Sequence, residues 1–285
     1  MNMRHYVHKT DEARRGLIIR LGLPRAFHTG AVSTVRCRDL HIKYQGEARP
    51  GNPLRIDSAV LEMGESTARL CHIMTHRDGR IAATIVEVVE HIYLPDDKVF
   101  PWPKRMREAA ADFTAALPAP AKARNIDGAN AHIGMNLSKL EASGAKIIGA
   151  GTFSAAELDI TNRVTMGSFF GRTTSTIAWF REGWPEFEDP AYQDSGMSAA
   201  LLEMRAVIHN YPKRGDAYSY LPALTQANTY TREFVHNVVD PVSGKSWVSM
   251  QASGCKFNLK TRKLVKASEA ELEVLARGQL SGIIA

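Results

Sequence analysis

Asp159-Ile160-Thr161-Asn162-Arg163-Val164-Thr165 places a carboxylate, an amide and hydroxyls directly ahead of a stretch, Thr165 to Phe180, that reads as a helix. A carboxylate in that place can take a proton from water or attack a carbonyl carbon itself. The N–H groups of a helix's first turn, reinforced by its dipole, can receive the negative charge that then develops on the carbonyl oxygen. Asp, Asn and Thr are also favoured capping residues, so the same side chains have a purely structural reading. An earlier run, Met1-Asn2-Met3-Arg4-His5-Tyr6, answers Val164-Thr165-Met166-Gly167-Ser168-Phe169 and sets Asn2 opposite Thr165, with no acid ahead of it.

The elements needed to position these residues repeat as well. From His5 to Leu21 apolar residues recur at helical spacing, and Gly22 and Pro24 stop the run. Strand-like stretches follow at Val35 to Tyr44, Leu54 to Leu61, Ala68 to Thr75 and Ile81 to Tyr93, with turn signals at Pro50-Gly51-Asn52, Gly64 and Asp78-Gly79. The second half replays the order, with the helix from Thr165 and strands at Ala200 to Asn210, Ala217 to Leu224, Thr229 to Val239 and Ser246 to Phe257. Pro212 to Asp216 answers the first turn and Gly244-Lys245 the second, so an internal duplication is expected. Between the copies a proline-bracketed helix, Lys104 to Leu117, leads into a Gly/Asn/Ala-rich stretch, Asp127 to Gly144. A long basic tail helix is expected from Ser268 to Gly278.

Length and composition narrow the class. The 285 residues suffice for two cores of moderate size, and 44% hydrophobic with 23% charged residues excludes a disordered or fibrous chain. No apolar run has signal-peptide or membrane-spanning length, so a cytoplasmic protein without a membrane role is expected. Cys37, Cys71 and Cys255 are odd in number and widely spaced, which fits reduced thiols rather than a disulfide framework or zinc site. The net charge of +6 suits an anionic partner, but scattered basic residues without a recognition motif do not indicate nucleic acid.

A helix followed by about four long antiparallel strands, met twice, resembles the double-hotdog acyl-CoA or acyl-carrier thioesterases of the 4-hydroxybenzoyl-CoA type. In that family the strand before the helix ends in D-x-x-G-H-x-N-x-x-x-Y or a close variant. This sequence supplies Asn2 and Tyr6 in the first copy, and Asp159, Asn162, Thr165 and Phe169 in the second. Arg163 stands in place of the His and Asn162 in place of the Gly, so the second copy departs from the pattern. In the first copy the Asp and His would precede Met1, and a start upstream of Met1 is expected, since a sheet lacking its leading strand exposes an unpaired edge.

The resemblance implies an α+β tandem hotdog in which antiparallel sheets, joined into one, wrap two central helices, with the site at the junction. Residues 1–95 would form the first unit, 96–145 a linker with one helix, and 146–285 the second unit with the C-terminal helix. It implies hydrolysis of an acyl-CoA or acyl-carrier-protein thioester without a cofactor. Asp159 would be base or nucleophile, Asn162 or Thr165 would place water, an N–H near Met166 or Gly167 would polarise the carbonyl, and Asn2 would serve a second site. Arg36, Arg38, Arg77 and Arg80 are candidates for the phosphates of coenzyme A, with solvated surface charge as the alternative for each.

Other constellations point elsewhere. His5 with His8, and His72 with His76, share a helix or strand face but lack a third ligand, so no metal is expected. Glu87 and Glu90 lie among apolar strand residues and call for Arg or Lys partners. Lys146-Ile147-Ile148-Gly149-Ala150-Gly151-Thr152-Phe153-Ser154 looks like the opening of a dinucleotide-binding unit, which would make the protein an oxidoreductase. Ser154 replaces its third glycine, and Ile147 to Phe153 reads equally as the leading strand of the second copy. G-x-S-x-G, Walker and H-E-x-x-H motifs are absent. A catalytically silent acyl-CoA or acyl-carrier binding protein is the alternative to the hydrolase, and a homodimer is compatible with either.

Overall fold

The computed structural model describes residues 2–49, 51–126, 132–190, 192 and 195–285. Met1, Pro50 of the first turn signal and 127–131 of the Gly/Asn/Ala-rich stretch lie outside the described residues. The chain divides into two compact units, 1–123 with 156–170, and 124–155 with 171–285.

In the first unit, helix α1 (Met3–Arg20) is capped by Asn2, whose side chain accepts from Arg4 N. It buries Tyr6, Val7, Thr10, Arg14, Leu17 and Ile18, spaced three and four apart on one stripe. Gly22, at φ 105°, ends it in a conformation that a side chain would strain. Strands β1 (Ser33–Tyr44), β2 (Leu54–Met63), β3 (Thr67–His76) and β4 (Ile81–Tyr93) pair antiparallel in the order β2-β3-β4-β1. Strand β4 is buried along most of its length because both faces are covered. Arg14 of α1 reaches Glu87 on one face, while Ala121 packs with Cys71 and Val86 on the other. A short strand β5 (Lys98–Val99) pairs with β4.

The helix expected over Lys104 to Leu117 is shorter. Helix α2 covers Lys104–Ala109, a 3₁₀ turn covers Ala110–Phe113, and the chain then straightens because Ala115 N donates to Val60 O at 3.0 Å. Pro118 and Pro120 continue the segment over the sheet, where Lys43 Nζ donates to the carbonyls of Pro120 and Lys122 at 2.9 and 2.6 Å. This stretch is bound to the first sheet and is not a loose connection.

The second unit contains helix α3 (Leu137–Ala142), strand β6 (Gly149–Thr152), strands β7 (Met197–Ile208), β8 (Ala217–Ala227), β9 (Arg232–Val239) and β10 (Ser246–Asn258), and a short β11 (Lys263–Leu264). Its strands pair antiparallel in the order β7-β10-β9-β8-β6. Met135, Leu140 and Ile283 pack with Leu221, Ala223, Val235 and Val239 on one face. Helix α4 (Met166–Thr176) begins in the first unit and ends in the second. The C-terminal helix α5 (Glu269–Gly278) starts at a Ser268–Glu271 capping box, but it carries Glu269, Glu271 and Glu273 against Arg277, so it is acidic rather than basic.

Helix then antiparallel strands is thus met twice, and the turn glycines agree in conformation. Gly51 and Gly215 take φ of 83° and 86°, and Gly79 and Gly244 take 84° and 72°. No described helix is long and apolar enough to cross a membrane.

Candidate active site

The turn ahead of α4 closes on itself. Leu158 bridges Val164, Asp159 N donates to Arg163 O at 2.8 Å, and Asn162 N donates to Asp159 O at 3.1 Å. Asn162 holds φ 61°, a left-handed conformation that Asn tolerates better than most side chains. Asp159 Oδ1 accepts from Thr161 N at 2.7 Å, Thr161 Oγ1 at 2.6 Å and Arg163 N at 3.1 Å. The half-buried carboxylate therefore organises its own turn, whereas the capping alternative had it serve the helix. Thr165 takes up the start of α4: its N–H donates to Glu157 O at 3.0 Å, and its hydroxyl lies 2.9 Å from Ser168 Oγ.

An ion cluster backs this turn. Arg163 Nη2 and Arg36 Nη1 each reach Asp97, at 2.5 Å, and Arg36 Nη2 donates to Thr161 Oγ1 at 3.3 Å. Burial by itself would raise the Asp97 carboxyl, but the hydrogen bonds from Arg163 and Arg36 outweigh it and hold the group below its ordinary range. Arg163, which stands where the resemblance calls for His, thus anchors the turn to the hairpin after β4.

On the other side, α1 meets the first turn of α4. A Cβ on Gly167 would lie 2.5 Å from His8 Cδ2, so a bare glycine is what lets this imidazole sit against the helix start. The His8 imidazole is pushed below its ordinary value, first by burial, and by Arg4 and His5 against the opposing pull of Asp11 and Glu12. His8 and His5 stand edge to face at 6.4 Å.

The remaining expected site residues separate. Asn2 is exposed and caps α1. Arg36 is buried in the Asp97 cluster and Arg38 faces Glu90 at 3.4 Å, whereas Arg77 and Arg80 lie in the exposed turn between β3 and β4, with Arg80 on Asp78 at 2.8 Å. β1 pairs Arg36 with Glu90, while Arg80 precedes the first residue of β4. Ten extended residues lie between these ends, roughly 30 Å. The four arginines therefore do not converge on one phosphate; Arg36 and Arg38 stand at one end of β4 and Arg77 and Arg80 at the other, where solvated surface charge was the alternative.

Sequence reasoning missed a cluster spread over four elements. Ser58 Oγ lies 2.8 Å from His72 Nδ1, His72 Nε2 lies 3.0 Å from Glu87 Oε1, and Arg14 Nη1 reaches Glu87 Oε2 at 2.6 Å and also bonds Asp11. The expected Arg partner of Glu87 is Arg14, and His72 is engaged here rather than with His76. The available signals were an arginine on the apolar stripe of α1 and a glutamate inside the buried run of β4.

The dinucleotide reading fails on geometry. Gly149 and Gly151 lie within β6, antiparallel to β8, and not in a strand-to-helix turn. Cβ atoms there would lie 2.8 Å from Thr176 Cγ2 and 3.1 Å from the Tyr218 ring, so the two glycines make room for side chains.

Residues 1–110 match the model of the thioesterase-like superfamily. Among solved structures, the 12:0-ACP thioesterase from Umbellularia californica is similar with a TM-score of 0.65 at 12% identity, over 89% of this chain and 90% of that one. The chain has the hotdog fold. An acyl-ACP thioesterase from Bacteroides thetaiotaomicron VPI-5482 aligns on the same hotdog fold with a TM-score of 0.61 at 12% identity, over 89% of this chain and 90% of that one. Comparison with curated proteins gives no match.

Proposed function

We propose that this hotdog protein is a tandem of two units, residues 1–95 and 146–285 joined by 96–145, that hydrolyses an acyl thioester of coenzyme A or acyl carrier protein. The observation that carries this reading is the carboxylate turn, closed by its own hydrogen bonds directly ahead of α4, in a fold similar to that of acyl-ACP thioesterases. Asp159 accepts the proton of the attacking water, or attacks the thioester carbonyl itself. Its Oδ1 is fixed by Thr161 and Arg163, which orients the second oxygen. Thr165 and Asn162 flank the water, and an N–H near Met166 or Gly167 receives the developing oxyanion. Asn2 serves as the cap of α1. This chemistry calls for no cofactor, metal or nucleic acid, and a cytoplasmic location belongs to the same reading.

Asp159→Asn is expected to lower kcat on a panel of acyl-CoA and acyl-carrier-protein thioesters about 100-fold or more, with little change in substrate affinity. Unchanged turnover removes Asp159 from the mechanism. The binding-module reading draws on the same bonds that occupy Oδ1, and tight acyl-CoA binding without turnover would favour it.

A further inference from the structure

The Ser58, His72, Glu87 and Arg14 cluster plays no part in that reaction, and its order is that of a nucleophile, a base and an orienting acid. Ser58 and His72 are directly opposite on β2 and β3, and Glu87 lies diagonally on β4, two residues from Ile85, which is paired with His72. All three side chains face α1, from which Arg14 closes the row. Glu87 has no solvent exposure. Burial opposes its charge, but Arg14 and His72 outweigh burial and hold the carboxyl down to about 2. An ionised carboxylate only accepts, so His72 Nε2 carries the hydrogen and Nδ1 presents its lone pair to the Ser58 hydroxyl. The neighbouring Cys37 thiol is pushed well above its ordinary value, first by burial and then by Glu87, so it stays protonated.

Ser58 is half-buried, on a strand that pairs with β3 on one edge and, among the described residues, is bridged on the other by Thr114 at Val60. Val60, two residues along, turns its carbonyl outward to accept from Ala115 N. By strand parity Ser58 directs its own N–H out of the same edge, beside the site of attack.

We propose that Ser58, His72 and Glu87 form a second, serine-dependent acyl-transfer centre acting on activated acyl esters or thioesters. Ser58 Oγ attacks the acyl carbon as its proton passes to His72 Nδ1. The bond from carbon to the leaving oxygen or sulfur then breaks, the leaving group takes that proton, and Ser58 is acylated. Water, deprotonated by the same imidazole, releases the acid and restores the hydroxyl. Glu87 is a positioning residue that fixes the tautomer and balances the imidazolium.

The full chain is treated with a fluorophosphonate probe and the modified peptide is located by mass spectrometry. Labelling of Ser58 is expected, lost in Ser58→Ala, slowed at least about 100-fold in Glu87→Gln and unchanged in Asp159→Asn. Absence of label at Ser58 in the folded wild type overturns the proposal, as does equal labelling of Glu87→Gln. Ser58→Ala removes only a half-buried hydroxyl and keeps the test open if Glu87→Gln does not fold. Loss of thioester turnover in Asp159→Asn with Ser58 unlabelled leaves the hydrolase reading standing and this one refuted, and the reverse pattern separates them the other way.

Discussion

Glu87 carries a charge at a position without solvent, which is tolerable only because Arg14 supplies opposite charge and Arg14 and His72 both supply hydrogen bonds. Removing one partner of a buried pair leaves the other uncompensated, so Arg14→Met should lower unfolding free energy by about 3 to 5 kcal/mol, read from denaturant titration. The Glu87 carboxyl is depressed from an ordinary 4.5 to about 2. A depressed folded-state value stabilises above the unfolded one, so this contribution is complete above about pH 4.5 and is lost as pH falls through about 2. Glu87→Gln should flatten that part of a stability-against-pH curve measured from pH 5 to 2. Asp159 shows the opposite economy: its Oδ1 is occupied within five residues of chain, and the fold around it needs no distant partner for that oxygen.

At the scale of elements, the left-handed turns and caps set where helices and strands stop. Gly79 and Gly244 hold φ of 84° and 72° at corresponding turns, with nothing within 4 Å of a Cβ at Gly79 and only an ordinary contact at Gly244. Replacing either by Ala should cost about 1 to 2 kcal/mol through backbone strain alone, and thermal unfolding of the two variants should show matching losses. Such turns were legible because Gly next to Asp or Lys is a local signal. Element order was legible for the same reason, since period-two and period-3.6 patterns are written into consecutive residues. The length of the helical segment from Lys104 was not, because after the 3₁₀ turn that closes at Phe113, Ala115 is drawn to Val60, a residue 55 positions earlier.

At the scale of the whole molecule, the formal net charge of +6 should attract the anionic carrier of a thioester substrate over distances that salt screens. KM for acyl-CoA is expected to rise severalfold between low and about 0.5 M salt, with kcat nearly constant; a flat KM would show that binding is local and apolar. The sequence by itself determined the order of the main helices and strands and the glycine turns between them, because each depends on residues adjacent in the chain. Only the tertiary structure decided that Arg36 is spent on Asp97, that Arg77 and Arg80 stand far from it, and that Ser58, His72, Glu87 and Arg14 meet. Those partners lie 14 to 73 residues apart, and an ion pair or hydrogen bond acts only across a few ångströms of space, whatever the separation along the chain.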